Sequence, residues 1–214
     1  MEIKDKIVEG AGQLFHKYGI RSVSMDDIAR HLSMSKKTLY QYFKDKDDLV
    51  TTSMKVLLEE EKEQFKAIEK QSVDALQEMA MFTNCMRKNM KDTSAALLFD
   101  LQKYHPNAWR VWTDFKNEFT KNYIVRNLVR GIEEGLFRKE IDPETMAILR
   151  VEQVEMAFDD RIYPSSKFDF RQIQVAFFDH FVHGLVTEEG RKTFLQYMEQ
   201  ENDTKTNSIL PHEN

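Results

Sequence analysis

Glycine and proline are scarce in this chain, and their scarcity limits the available folds more than any other feature of the sequence. Seven glycines and four prolines stand among 214 residues, whereas the two together make up about 12% of average proteins. So few turn-forming residues do not supply the many tight connections of a β-sandwich or barrel. With 41% hydrophobic residues, the sequence predicts an all-α protein that buries a sizeable core.

The cysteine count and the first residues bear on the compartment. A single cysteine excludes a disulfide framework and a cysteine-based zinc cluster, and it suits a reducing environment. The opening MEIKDKIVEG places acids where a signal peptide has an apolar run, and no apolar stretch of 18 residues occurs. We therefore expect a cytoplasmic protein that does not use a membrane as a partner.

The charge is distributed unevenly along the chain. Residues 1–50 hold nine basic and eight acidic residues, and the remainder holds 22 basic and 28 acidic ones. Neither part has the strong basic excess on which non-specific nucleic-acid binding depends. If DNA is the partner, a few well-placed residues must supply the contacts.

The beginning of the chain predicts two helices with clear limits. Apolar residues between positions 3 and 18 recur on one helix face, and Gly19 supplies the stop. Ser24 is a natural N-cap for a second helix, and Asp27, three residues later, completes a capping box.

A third helix follows after a short polar turn. Ser35 caps a segment that runs from Lys36 to Phe43, so that two short helices form a helix-turn-helix pattern. Leu39 and Phe43 fall on one side of this segment and pack inward. The outer side carries a cation, an amide, a hydroxyl and a phenol, all of which can meet base edges or phosphates in a major groove. These outward residues are Lys37, Thr38, Tyr40 and Gln41.

Residues 3–50 resemble the DNA-binding domain of the tetracycline-repressor (TetR) family. The matching strings are AGQLF at 11–15, Gly19, SMDDIA at 24–29, MSKKTLYQYF at 34–43 and KDDL at 46–49. The resemblance covers about a quarter of the chain, and TLYQYF followed by Lys46 is its most specific part. It implies a helix-turn-helix domain at residues 1–50, with the motif at about 24–43, and a helical ligand-binding and dimerisation domain at 51–214.

The resemblance also assigns roles to individual residues. It implies that the helix from Lys36 to Phe43 enters the major groove, that Tyr42 and Lys46 hold phosphates, and that Ser24 binds a phosphate at the N-terminus of the second helix. Packing against the first helix is the alternative for Tyr42. The candidate DNA-binding residues are Ser24, Ser35, Lys36, Lys37, Thr38, Tyr40, Gln41, Tyr42 and Lys46.

Two positions depart from the family pattern. Ser33 stands where the turn usually has glycine, and a left-handed turn there costs a non-glycine residue about 1 kcal/mol. Lys37 replaces a frequent glycine and adds charge where the backbone normally approaches DNA.

The remainder of the chain predicts a long connecting helix followed by further helices, without repeats or a flexible linker. Pro106 and Pro143 fit the first turns of helices, and Pro164 closes one. The expected helices span about 46–70, 73–90, 93–103, 106–135, 143–163, 168–186 and 190–200, with a polar tail from Asn202.

A set of methionine and aromatic residues on these helices suits an adaptable apolar pocket. Plain core packing is the alternative for each of them. The resemblance places a ligand cavity among these helices, so we expect an apolar or amphipathic small-molecule effector. No buried acid stands out that would select a cation, although Asp114 and Glu118 could do so. The candidate pocket residues are Met79, Phe82, Met86, Phe99, Trp109, Trp112, Phe115 and Phe119.

Apolar residues cover more than one stripe of the last two long helices, which is more than the core of a monomer requires. Paired with a second copy, these helices would make a four-helix interface with two-fold symmetry, and the resemblance also implies a homodimer. The candidate interface residues are Met146, Leu149, Met156, Phe177, Phe178, Phe181 and Leu185.

No motif of an enzyme stands out. The chain has no glycine-rich phosphate loop, no nucleophile elbow and no His-Glu-x-x-His. His180 and His183 lack the further ligands that a metal site needs. We expect no catalytic activity, no cofactor and no bound metal; an enzyme in a helical bundle would gain support only from an ion found at these two histidines.

These features indicate a homodimeric transcription factor, a ligand-responsive repressor that binds a palindromic double-stranded DNA operator. The alternative is a helical small-molecule-binding protein with a vestigial helix-turn-helix, which the near-neutral charge of residues 1–50 favours.

Overall fold

The computed structural model of the protein describes residues 2–89 and 97–207, and for residues 86–89 and 200–207 it describes the backbone only. The predicted all-α fold is confirmed, with one isolated β-bridge between Phe137 and Val186 among the described residues. The helices are α1 (Ile3–Tyr18), α2 (Met25–His31), α3 (Lys36–Tyr42), α4 (Lys46–Gln71), α5 (Ala75–Asn89), α6 (Leu97–Tyr104), α7 (Pro106–Asp114), a π-helical segment (Phe115–Thr120), α8 (Lys121–Glu133), α9 (Pro143–Met156), α10 (Phe170–Leu185) and α11 (Glu188–Asn207).

Side-chain caps fix where the first short helices begin. Ser24 Oγ accepts a hydrogen bond from the backbone N–H of Asp27 at 3.1 Å, and the Asp27 carboxylate accepts one from the N–H of Ser24 at 2.9 Å. Ser35 Oγ accepts from the N–H of Thr38 at 3.0 Å. The capping box and both N-caps predicted from the sequence are therefore confirmed.

The turn between α2 and α3 has a left-handed conformation, which costs energy because the residue there is a serine and not a glycine. Ser33 has φ of 52° and is the only non-glycine residue with positive φ among the described residues. The left-handed turn brings the start of α3 across α2 at the expense of local strain.

A first hydrophobic core joins the helix-turn-helix to later helices. Buried residues of α1, α2 and α3, including Ile7, Ile28 and Leu39, pack with the first half of α4. Leu101 of α6 and Ala108 of α7 belong to the same cluster, and both are fully buried. The orientation of α2 and α3 therefore depends on α6 and α7 as well as on α4.

A second core lies farther along the chain and surrounds the candidate cavity. Leu76 of α5, Leu128 of α8, Phe181 of α10 and Phe194 of α11 are among its buried members. The predicted long connecting helix is confirmed: α4 runs without a break from Lys46 to Gln71 and contributes to the first core.

The predicted single helix over 106–135 is wrong in one respect, because a π-helical segment interrupts it at Phe115–Thr120. The wider turn rotates Phe115 and Phe119 onto Phe65 of α4, with ring centroids 6.4 and 5.9 Å from that of Phe65. Lys116, which is 8% exposed, bonds Glu152 at 2.9 Å and Glu155 at 2.6 Å on α9. Single-turn π-helical insertions are frequent at functional sites.

Two other helix limits differ from those expected. Helix α9 ends at Met156, seven residues before Tyr163, because Asp159 and Asp160 accept backbone N–H groups at 2.9 and 2.7 Å and form turns instead. Pro164 therefore lies in a turn and does not close a helix.

Helix α11 is longer than predicted and continues through the tail to Asn207. The predicted limits at Met90 and Thr93 lie outside the described residues. In the described part of the chain, no helix combines the length and apolarity needed to span a membrane.

Candidate nucleic-acid interface and ligand cavity

The outer face of α3 is exposed to solvent, and its inner face is buried in the first core. Leu39 and Phe43 are 0% and 1% exposed, whereas Tyr40 is 46% exposed. Lys37 and Gln41 are exposed beside Tyr40. The face therefore presents an ammonium, a carboxamide and a phenol that have the donors and acceptors needed to contact base edges and phosphates.

The two lysines at the start of α3 differ in their surroundings. Lys36 Nζ lies 2.7 Å from the Asp26 carboxylate on α2, and its hydrogen bond to Asp26 raises the pKa of Lys36. Lys37 forms no ion pair with any residue that the structure describes. The charge that α3 offers to a partner without breaking a contact is therefore that of Lys37.

The N-terminus of α2 is already occupied by a carboxylate of its own helix. The Ser24 hydroxyl and N–H both bind the Asp27 carboxylate, at 2.5 and 2.9 Å, and these bonds lower the pKa of Asp27. A phosphate at Ser24 would compete with that carboxylate. The hydroxyls of Ser35 and Thr38 likewise bond each other at 2.8 Å.

The two candidate phosphate clamps are placed differently. Tyr42 is 39% exposed, so its ring does not lie buried against α1. Lys46 is partly buried, and its Nζ donates to the carbonyl oxygen of Ile20 at 2.7 Å; burial lowers the pKa of Lys46. In this structure Lys46 holds the loop between α1 and α2.

Polar contacts that the sequence did not reveal join α4 to the helices behind it. Asp47, in the first turn of α4, accepts from Asn107 at 3.0 Å and lies 2.9 Å from Nδ1 of His105. The N–H of Arg21, in the α1–α2 loop, donates to the buried carboxylate of Asp100 at 2.9 Å. These contacts lie between residues about 60 to 80 positions apart, so no local pattern could have predicted them.

The structure divides the candidate pocket residues among three places. Met79 and Phe82 line a partly enclosed cavity between α5, α8, α9 and α10. Phe115 and Phe119 pack with Phe65 next to it, and Phe65 also contacts Phe82 at 4.9 Å between ring centroids.

Three of the remaining candidates, Trp109, Trp112 and Phe99, lie away from this cavity. Trp109 and Trp112 stack at 4.9 Å between ring centroids and pack against the first core, because α7 lies over α4. Phe99 is 50% exposed, with Lys103 Nζ over its ring. The side chain of Met86 lies outside the described residues.

The cavity has a volume of about 30 Å³ and combines apolar walls with buried polar groups. Glu78, Asn127 and Arg150 are 2%, 3% and 7% exposed. Tyr123 also lines the cavity, and burial beside Glu78 raises the pKa of its phenol.

Glu78 corrects the expectation that no buried acid stands out. Asp114 and Glu118 are exposed, whereas Glu78 is buried among residues of the second core. The sequence could have indicated that Glu78 is buried, since it lies three residues after Ala75 and four before Phe82, on the apolar face of α5.

The candidate interface residues divide into buried and accessible groups. Phe178, Phe181 and Leu185 are only 7%, 5% and 1% exposed, because this stripe of α10 packs on its own chain. They are therefore not available to a partner, contrary to the expectation. Leu149 is 45% exposed beside Ile148 at 49%, and Met146, Met156 and Phe177 are half-buried. The described residues hold no group of three side chains suited to a metal ion.

Comparison with known proteins agrees with this architecture. The family model described as bacterial regulatory proteins, tetR family, matches residues 7–51. The uncharacterized HTH-type transcriptional regulator YvaF of Bacillus subtilis is 25% identical over 170 residues, which cover 78% of this chain and 88% of YvaF. The regulator Rv0472c of Mycobacterium tuberculosis is 41% identical over 54 residues, which cover 25% of this chain and only 23% of that protein.

The fold recurs in solved structures at low sequence identity. A protein described as a transcriptional regulator from Saccharomonospora viridis, in complex with choline, superposes with a TM-score of 0.71 at 16% identity, covering 86% of this chain and 98% of its own. Residues 7–51 therefore match the DNA-binding domain of the tetR family, and over most of its length the chain is similar to an HTH-type transcriptional regulator.

Proposed function

We propose that this tetR-family regulator is a homodimer that reads a palindromic operator through α3 and represses transcription until a small molecule binds its cavity. The observation that carries the proposal is the two-sided character of α3. Leu39 and Phe43 hold the helix from behind, while Lys37, Tyr40 and Gln41 remain open to solvent. An exposed helix whose role is only structural has no need of this combination of polar groups.

DNA reading by this face requires two copies at a fixed spacing. In a two-fold dimer, paired α3 helices about 34–36 Å apart enter successive major grooves of a palindrome. Gln41 is suited to a bidentate contact with adenine, and Lys37 is suited to guanine or a phosphate. The near-neutral charge of residues 1–50 then favours specific contacts over general attraction to the backbone.

The accessible apolar surface of α9 and α10 supports the dimer. Ile148 and Leu149 of α9 are each nearly half exposed, and Phe177 of α10 is half-buried. Two copies of this surface facing each other form a four-helix contact that covers these side chains.

A continuous path of packed elements supports a response to ligand. Tyr123 of α8 borders the cavity, and the same helical run continues through the π-helical segment to α7. Trp112 of α7 packs against the first core, and His105, which precedes α7, contacts Asp47 of α4. A ligand that shifts α8 would thus move α4 and α3. By linkage, DNA must weaken ligand binding by the same factor, typically about 5–150-fold.

The test is a binding titration on DNA from upstream of the protein's own gene. Fluorescence anisotropy at two salt concentrations compares the parent with Lys37→Ala and Gln41→Ala. Each loss of a base contact should weaken specific binding by about 1–3 kcal/mol, roughly 5- to 150-fold. Lys192→Ala is the matched control, since Lys192 is 72% exposed on α11, far along the chain from α3.

The alternative, a helical small-molecule-binding protein with a vestigial helix-turn-helix, makes the opposite prediction. It requires that upstream DNA binds no better than unrelated DNA, and that Lys37→Ala and Lys192→Ala behave alike. Either result overturns the proposal.

A further inference from the structure

The cavity between α5, α8, α9 and α10 collects buried polar atoms that have no partner. Glu78 Oε1, Tyr123 Oη, Asn127 Oδ1 and Arg150 Nη1 are all inaccessible, and none makes a hydrogen bond of normal geometry, although Tyr123 lies close enough to Glu78 for the carboxylate to raise the pKa of the phenol. All four residues line the same cavity. Buried polar groups are nearly always hydrogen-bonded, so four unpaired atoms around one space indicate a site for a polar guest.

The uncompensated charge in this cavity is positive. Glu78 has a partner outside the cavity, since Arg130 Nη1 lies 3.2 Å from its Oε2. Arg150 forms no ion pair with any described residue. Its guanidinium is placed over the ring of Phe178, 5.5 Å from the centroid. Burial lowers the pKa of Arg150 to about 10, so that the group is still charged at neutral pH.

The walls and the size of the cavity restrict the rest of the guest. Met79, Phe82, Phe178 and Phe181 provide an apolar lining. The present volume of about 30 Å³ holds only about one or two water molecules. A larger guest must displace Met79 and Phe82, whose side chains can adopt other rotamers. A compact ring therefore fits this site better than a long acyl chain.

We propose that the effector is a small, largely apolar carboxylic acid whose carboxylate pairs with Arg150. A hydroxyl group at its opposite end donates to Glu78 Oε1 or Asn127 Oδ1, which removes further unpaired atoms. A guanidinium binds a carboxylate through two parallel hydrogen bonds, which selects an anion over a neutral or cationic ligand of the same shape. This inference rests on the proposed function, because it names the ligand class of the regulatory cavity.

Four probes of nearly equal shape test the chemistry by calorimetry on the full chain without DNA. They are phenylacetate, 4-hydroxyphenylacetate, the neutral methyl ester of phenylacetate and the cation phenethylamine. The acid should bind at least tenfold more tightly than the ester and the amine. The hydroxylated acid should bind several-fold more tightly than phenylacetate.

Variants then assign the effect to one residue. Arg150→Met keeps the bulk and removes the charge, so the acid should lose at least tenfold in affinity while the ester is unaffected. Arg150→Lys keeps the charge without the two parallel bonds, and it should give an intermediate loss. Arg161→Met is the control, because Arg161 lies at the surface and pairs with Asp159, away from the cavity lining. Thermal unfolding confirms that each variant is folded.

Three results overturn the inference. The first is tighter binding of the amine than of the acid, and the second is an equal loss of acid and ester affinity in Arg150→Met. The third is no binding of any acid up to millimolar concentration, which means that the cavity holds only water. None of these depends on DNA, whereas the proposed function fails on the anisotropy titration, so the two failures are distinguishable.

Discussion

The helix-turn-helix region and the region around the cavity differ in whether their buried polar side-chain atoms are hydrogen-bonded. In residues 2–50, all of which the structure describes, no buried side-chain polar atom lacks a hydrogen bond. Beyond residue 50, seven such atoms occur among the described residues, and four of them surround one cavity. The first region therefore satisfies its own buried polar atoms, whereas the second has buried polar atoms to which a ligand could bond.

This difference agrees with the roles that we propose for the two regions. A DNA-reading helix has to be held in one orientation, so its caps and its anchors are satisfied locally. A ligand site that controls a conformational equilibrium needs interactions that are incomplete without the ligand, because a ligand shifts an equilibrium only by its differential affinity for the two states. Functional sites are where proteins tolerate such violations of polar satisfaction.

The largest effect should come from removing an anchor of α3. Phe43 is 1% exposed in the first core, and Phe43→Ala should lower the free energy of unfolding by about 3–5 kcal/mol because it leaves a cavity. Chemical denaturation followed by circular dichroism measures the change. Tyr42→Ala is the control, since its side chain is 39% exposed and should cost under about 1 kcal/mol. Equal losses would mean that α3 is not held from behind.

Replacing two arginines of the second region by methionine should change the free energy of unfolding in opposite directions. Arg130→Met leaves the buried Glu78 carboxylate without its partner and should cost about 2–3 kcal/mol. Arg150→Met removes a buried charge that has no ion-pair partner among the described residues and contacts the Phe178 ring, so it should raise the free energy of unfolding by about 1–2 kcal/mol. The same denaturation assay measures both. A loss in Arg150→Met as large as that in Arg130→Met would show that Arg150 is already satisfied in the ligand-free protein.

The two regions should also differ in the sign of their pH dependence. Partial burial raises the pKa of Glu61, which lies on α4 beyond the helix-turn-helix, from 4.5 to about 7. The unfolded chain ionises first, so this residue's contribution to stability is complete below pH 4.5 and is lost as the pH rises through 7. Glu61→Gln should match the parent near pH 4 and exceed it by about 1–2 kcal/mol at pH 8.

Asp27 supplies the opposite case in the first region. Its hydrogen bonds to Ser24 lower its pKa below 3.8, so its contribution is present at neutral pH and is lost as the pH falls through that lowered pKa. Asp27→Asn should therefore be less stable than the parent at pH 7 and approach it in acid. Thermal unfolding from pH 3 to 8 measures the stability of both variants relative to the parent. The prediction is wrong if both variants are more stable than the parent at neutral pH, or if both are less stable.

The smallest effect should come from the strained turn. Ser33 has φ of 52°, and Ser33→Gly should raise the free energy of unfolding by about 0.5–1 kcal/mol because glycine adopts this conformation without a steric penalty. Ser33→Ala keeps the Cβ atom and should give no gain. If both variants gain equally, the hydroxyl and not the backbone is the source of the strain.

The same contrast explains how much the sequence predicted. The caps at Ser24 and Ser35, the inward side chains of α3 and the left-handed turn at Ser33 depend on neighbours within a few positions, and all of these were predictable. The family resemblance adds the role of α3. Around the cavity, Arg150 and Glu78 come together only when α5 and α9 each pack against α8 and α10, so no spacing rule could place them in one site.

The expected interface on α10 could not be separated from the core by sequence alone. Phe178, Phe181 and Leu185 have the apolar character expected of an interface, yet they are buried within their own chain. Helical periodicity shows that a face is covered, but it does not show by which element. Only the assembled fold separates the stripe of α10 that packs inside from the surface around Leu149 that stays open.

A footprint on the upstream DNA shows whether α3 reads an operator. Hydroxyl-radical cleavage of the bound DNA should show two protected segments about 10 base pairs apart or a multiple of that spacing. The double variant Lys37→Ala with Tyr40→Ala should lose this protection while it stays folded. No protection by the parent protein, or equal protection by the double variant, would contradict the assignment of α3 as the helix that reads DNA.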